Sequence, residues 1–94
     1  GLTVRPLKDE ERRELKLEGK GGLLVLDVDP GKPAAEAGVR PGDVIVKANR
    51  QAVSSPEDLS KIVAGEGSKR GAVMLQINRR GENIFRAVPV SNGK

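Results

Sequence analysis

The stretch from Pro33 to Val53, PAAEAGVRPGDVIVKANRQAV, leaves its backbone fewer choices than any other part of this 94-residue chain. Pro33 suits the first position of a helix, because the N–H it lacks is one that a helix start leaves unpaired anyway, and Gly38 can take the left-handed conformation that ends one. The helix between them has one or two turns and is too short to stand alone. Pro41-Gly42 then makes a turn, Val44 to Ala48 reads as a strand, and Asn49-Arg50 turns the chain into a brief strand at Gln51 to Val53. So closely punctuated a segment must fold as short elements packed on the rest of the chain.

The flanks fit this scale. Residues 2–7 read as extended. A short helix over 9–16 follows, with Asp9 as N-cap, Arg12 at N3, and Glu10 and Glu11 in the first turn, where the helix dipole favours negative charge. Leu7, Leu15 and Leu17 supply its few apolar contacts, so it is a surface helix held by its ends. Glu18 to Gly22 is a turn, and Leu23 to Asp29 is a strand whose later half alternates apolar and acidic residues. The strongest helix signal is SSPEDLSKIVAGEG: Ser55 is the N-cap, Pro56 stands at N1, Asp58 at N3 forms a short-armed capping box, and Gly65 marks the exit. Leu59, Ile62 and Val63 share one face, with the first two assigned to the core and Val63 to the flank of a groove. AVMLQINR and NIFRAVPV read as a hairpin around Gly81, and 91–94 as a disordered tail. The elements predict one α+β domain over 1–90, with three helices and a mainly antiparallel sheet shaped as a small, partly open barrel.

Composition narrows the chemistry. With neither cysteine nor histidine, the chain has no disulfide, no thiol nucleophile, no zinc site of the usual kinds and no histidine general base. Its serines have no histidine to activate them, and Ser60 and Lys61, adjacent on a helix, diverge by about 100° and cannot form a dyad. An enzyme in its own right is not expected, nor a metal or cofactor. No apolar run approaches the ~20 residues of a membrane span. The formal charge of +4 is uneven: residues 1–60 carry 10 Lys+Arg against 11 Asp+Glu, and residues 61–94 carry 7 against 2. Single-strand nucleic-acid binders stack bases on aromatic platforms, and Phe85 is the only aromatic residue. Lys69, Arg70, Arg79, Arg80 and Arg86 are therefore read as a solvated basic face. Asp43, in the Arg-Pro-Gly-Asp run, is read as bonding the backbone of its own turn.

The spacing of Ala37, Gly38, Gly42, Asp43, Ile45, Asn49 and Val53 resembles the signature of a PDZ domain, and the likeness extends from Gly1 to about Val90. The loop-like GLTV at the start and the two strands after the capped helix look like the circularly permuted PDZ fold of bacterial HtrA/Deg-type serine proteases, more like the second of two such domains than the first. The resemblance implies a non-catalytic module in the periplasm. It implies partners that are C-terminal or unfolded polypeptide segments, together with the protease domain or neighbouring subunits of a parent, and neither nucleic acid nor membrane insertion. By position, Leu2, Thr3 and Val4 would offer N–H groups to a peptide carboxylate, with Gly1 allowing close approach. The peptide would add as a strand beside Val4, Arg5 and Pro6, under the helix starting at Pro56. Leu2, Val4 and Val63 would line the pocket for its last side chain, and Pro56 and Ser60 would face residues further back. Two residues depart from the family pattern. Thr3 stands where glycine is common, and Pro6 would face the peptide without an N–H to donate, as a sheet edge that discourages pairing does. An assembly module without a peptide ligand is the alternative that Pro6 and the basic third favour, and a PDZ domain of another envelope protease or of a secretion component is a second.

Overall fold

The computed structural model describes residues 2–17 and 21–90. Gly1, most of the turn expected at 18–22 and the tail expected at 91–94 lie outside the described residues. Strands β1 (Leu2–Pro6), β2 (Leu23–Val28), β3 (Val44–Ala48), β4 (Gln51–Ala52), β5 (Ala72–Arg79) and β6 (Glu82–Pro89) form one sheet in the order β1-β2-β3-β5-β6, with β4 beside β3. Every pairing is antiparallel. Helices α1 (Asp9–Glu14), α2 (Pro33–Glu36), α3 (Pro56–Ile62) and α4 (Ser68–Arg70) fill the connections, and a π-helical turn, Val63–Gly67, joins α3 to α4. The α+β class and the strand order in the chain are as expected from the sequence.

Tight turns set the register. Asn49 and Arg50 have φ of 48° and 68°, and Arg80 and Gly81 have 53° and 88°. Positive φ at both central residues is the turn whose twist matches that of the strands it joins. With register fixed, Leu23 lies opposite Ile45, Ile45 opposite Ile77, and Ile77 opposite Ile84. Directly opposed residues share a face, so these four side chains make one apolar row across the sheet. Three of them, Leu23, Ile45 and Ile77, have no exposed surface, and α3 closes the core above with Leu59 and Ile62.

Three expectations need correcting. The N-cap of α1 is Lys8, and the helix ends at Glu14. Glu11, not Arg12, therefore occupies N3, where its carboxylate accepts from the Lys8 N–H at 2.8 Å. Asp9 instead pairs with Arg12 inside the first turn. Secondly, the helical path does not leave at Gly65. It continues through the π turn to Gly71, whose φ of 78° gives the left-handed end. Thirdly, Arg79 is not part of a solvated face. Its guanidinium donates Nε to Asp43 Oδ1 (2.8 Å) and Nη2 to both Asp43 Oδ2 (2.7 Å) and the Gly38 carbonyl (2.8 Å). Asp43 does bond its own turn as expected, accepting from the Arg40 N–H at 2.9 Å.

The continuation past Gly65 depends on Gly67. A Cβ there would overlap Val73 Cγ2 and lie 3.2 Å from the Ile62 carbonyl oxygen, whereas a Cβ on Gly65 would meet nothing within 4 Å. Val73 is buried and β-branched, so it has little freedom to move aside. Gly67→Ala is expected to destabilise the domain by about 1–3 kcal/mol through overpacking. Gly65→Ala should be neutral or stabilising by up to about 1 kcal/mol, because alanine is the better helix former. Paired thermal melts test this, and equal midpoints would refute the assigned role of Gly67.

Candidate functional site

An unpaired strand edge and an apolar hollow meet near Leu2. Among the described residues strand β1 is the outer strand of the sheet, paired only with β2. In an antiparallel strand the N–H and C=O of one residue point to the same side, and the side alternates along the chain. The Leu7 N–H donates inward to the Gly22 carbonyl, which turns the even-numbered residues of β1 outward. Val25, opposite Val4, spends its own N–H on the Asp43 carbonyl and its own carbonyl on the Gly42 N–H, both on the far side at 2.8 Å. The backbone groups of Leu2 and Val4 thus face the free edge. A bulge between Thr3 and Val4, where Leu26 is the extra residue of β2, bends the strand just there.

The hollow has a volume of about 440 Å³, within the ordinary range for ligand pockets. Leu2 borders it from β1. One wall is a face of the capped helix and its π extension, with Leu59, Ser60, Val63 and Ala64. Val73 and Leu75 of β5, with Val88, Pro89 and Val90 at the end of β6, form the floor, and Lys32, Pro33 and Ala34 close the rim. Among the described residues, Lys32 is the only charged one in the lining.

The helical wall is held at its start by two serines. The Ser55 Oγ accepts from the Asp58 N–H at 3.2 Å, and the Asp58 carboxylate accepts from the N–H and hydroxyl of Ser54 at 3.0 and 3.1 Å. The Ser54 N–H and hydroxyl, then Ser55, hold the Asp58 carboxyl below its ordinary pKa. Only half of the expected capping box forms: Ser55 accepts from the Asp58 N–H, but the Asp58 carboxylate bonds Ser54 in place of the Ser55 N–H.

Of the residues expected in the site, Leu2, Ser60 and Val63 border the hollow. Val4 packs its side chain against the core while its backbone stays outward, and Thr3 is exposed opposite Asp27. Pro56 begins the helix without lining the hollow. Arg5 turns away from it: its Nη1 and Nη2 donate to Glu11 Oε1 and Oε2 at 2.8 Å each, and Nη1 also reaches the Pro6 carbonyl at 3.0 Å. The Arg5 guanidinium, with the Lys8 N–H, lowers the Glu11 carboxyl to about 2, so the pair stays charged through the neutral range. The floor was missed from the sequence. Val88 and Val90 recur with the period of a strand face, but nothing local says that this strand ends near Leu2. Among the described residues no cluster of acidic side chains is placed to hold a metal ion, and no helix is long and apolar enough to cross a membrane.

A free outer strand beside an apolar hollow under a capped helix is the arrangement of a PDZ domain, and the PDZ domain profile matches residues 24–79. The chain belongs to the PDZ domain family. It is 44% identical over 92 residues, 97% of its length, to a probable periplasmic serine endoprotease DegP-like of Brucella suis. It spans only 16% of that relative, and is a PDZ module rather than the catalytic domain of such a protease. Among solved structures it is similar to a variant of the HtrA-type protease AlgW with decapeptide, at a TM-score of 0.84 and 28% identity, covering 97% of this chain and 27% of that one. It shares its fold with the HtrA3 PDZ domain bound to a phage-derived ligand, at a TM-score of 0.77 and 24% identity, covering 95% of this chain and 80% of that one.

Proposed function

We propose that this chain is the ligand-binding PDZ module of a periplasmic HtrA/DegP-like serine endoprotease, and that it captures the hydrophobic C-termini of polypeptides by strand addition to β1. The observation that carries this reading is the outward-facing backbone of Leu2 and Val4 beside an apolar hollow of about 440 Å³. The outward-facing N–H groups of Leu2 and Val4, rather than that of Thr3, take the terminal carboxylate, with Lys32 adding positive charge at the rim. The last side chain enters between Leu2 and Val63. Recruitment of unfolded substrate and contact with the protease domain or neighbouring subunits follow from the same reading, as does a periplasmic location, which the relatives' names support. Monovalent affinity is expected to be on the order of micromolar, with avidity in an oligomer making up the difference.

The test is a chemical-shift titration of the labelled chain with a peptide ending in free-acid valine and with the same peptide amidated. Leu2, Thr3, Val4, Ser60 and Val63 should shift with the acid only. Val63→Asp, which puts a charge into an apolar wall, should weaken the acid peptide by about tenfold or more while circular dichroism remains that of the folded chain. If neither peptide moves these resonances at millimolar concentration, peptide capture fails. Assembly with a neighbouring subunit, through the exposed Phe85 and Met74, then becomes the better account.

A further inference from the structure

The outer edge of β1 offers one rung and then stops. Val4 presents both N–H and C=O to the free edge, and the next outward residue is Pro6, which has no N–H. The other half of that rung, the Pro6 carbonyl, already accepts from Arg5 Nη1 at 3.0 Å. Arg5 is held in place by both carboxylate oxygens of Glu11 at 2.8 Å, and Glu11 is fixed in turn by the Lys8 N–H at the start of α1. The donor is thus absent by residue type and the acceptor occupied by a clamped side chain. The hollow lies towards the other end of the strand, at Leu2.

Resting on the reading that β1 and the hollow capture free C-termini, we propose that this chain reads only the last residue of its ligand. One apolar side chain sits in the hollow, one backbone rung forms at Val4, and the third residue from the end, which would meet Pro6, goes unread. The ligand class is any polypeptide with an apolar last residue and a free carboxylate, whatever precedes it. Most strand-addition sites gain affinity from each further rung; here the ladder is closed by Pro6 and by the Arg5–Glu11 clamp.

The experiment is a titration of the 94-residue chain with N-acetylated peptides of two, four and six residues, all ending in the same free-acid leucine. The hexapeptide should bind within about threefold of the dipeptide, since no further rung forms, whereas one added net hydrogen bond would be worth a factor of roughly two to ten. N-methylation of the third residue from the end should have no larger effect. A hexapeptide more than about threefold tighter than the dipeptide overturns the inference and leaves C-terminal capture standing. If no free-acid peptide of any length shifts Leu2 or Val63, capture itself is refuted, and the inference with it. In Pro6→Val, which restores the donor, the hexapeptide-to-dipeptide affinity ratio should rise about fivefold. Glu11→Gln, which loosens the clamp without touching the strand, should raise the same ratio by a smaller factor. A ratio unchanged in both variants overturns the proposal.

Discussion

Ile77→Ala should lower the free energy of unfolding by about 3–4 kcal/mol, the central range for truncating a buried isoleucine. Ile77 has no exposed surface and sits in the apolar row between Ile45 of β3 and Ile84 of β6. Three removed carbons leave a void that the neighbours cannot fill, because both flanking strands are tied by ladder hydrogen bonds. Domains of this size hold roughly 5–15 kcal/mol in total, so between about a fifth and four-fifths of the stability should go, with the melting temperature falling by about 12–30 °C. With neither Trp nor Tyr in the chain, the transition is best followed by far-ultraviolet circular dichroism in urea. A loss below about 1.5 kcal/mol would mean that the row is less tightly packed than its burial indicates.

Asp43→Ala is expected to cost about 2–4 kcal/mol, from a different source. Asp43 is 2% exposed and accepts three hydrogen bonds, two from Arg79 and one from the Arg40 N–H. Removing it strands the Arg40 N–H and leaves Arg79 with the Gly38 carbonyl as its one remaining partner among those bonds. The Arg79 side chain is 24% exposed, so water can take up part of its charge, which holds the loss below that for a wholly buried pair. Burial by itself would raise the Asp43 carboxyl's pKa, but hydrogen bonds from Arg79 and Arg40 outweigh it and leave the group below its ordinary value. A carboxyl lowered in this way contributes stability that is complete above the ordinary carboxylate range and is lost as pH falls through its lowered value. The native chain should therefore lose stability more steeply in acid than Asp43→Ala does. Urea midpoints measured from neutral pH downwards test the sign, and parallel curves would refute it.

The difference between these two residues is also a difference in how far each could be read in advance. Ile77 lies in a run, AVMLQINR, whose alternation assigns it to a buried face. The bond from Asp43 to the Arg40 N–H is a turn property, legible in Arg-Pro-Gly-Asp. The partnership with Arg79, thirty-six residues away, is not legible, and composition pointed the other way: five cations in the last third look like one solvated face. Whether an arginine is solvated depends on what the fold sets opposite it. The same holds for Arg5, which the family resemblance placed beside a peptide and which Glu11 holds against α1.

For the candidate site, Leu2, Ser60 and Val63 were reached through family resemblance, and the capped helix through its own serines and proline. The floor from Val88 to Val90 was not, because it is made by the last strand returning to the first.

By itself the sequence determined most of the turns, the Ser55 cap of α3, and which faces of its strands are apolar. Those are local properties, written by glycine, proline and serine and by the alternation of side chains over a few residues. Only the tertiary structure decided which groups meet: the Asp43–Arg79 pair, the hollow between β1, α3 and the end of β6, and the Arg5–Glu11 clamp on the Pro6 carbonyl. A contact between distant residues depends on register, and a shift of one residue turns every side chain of a strand to the other face.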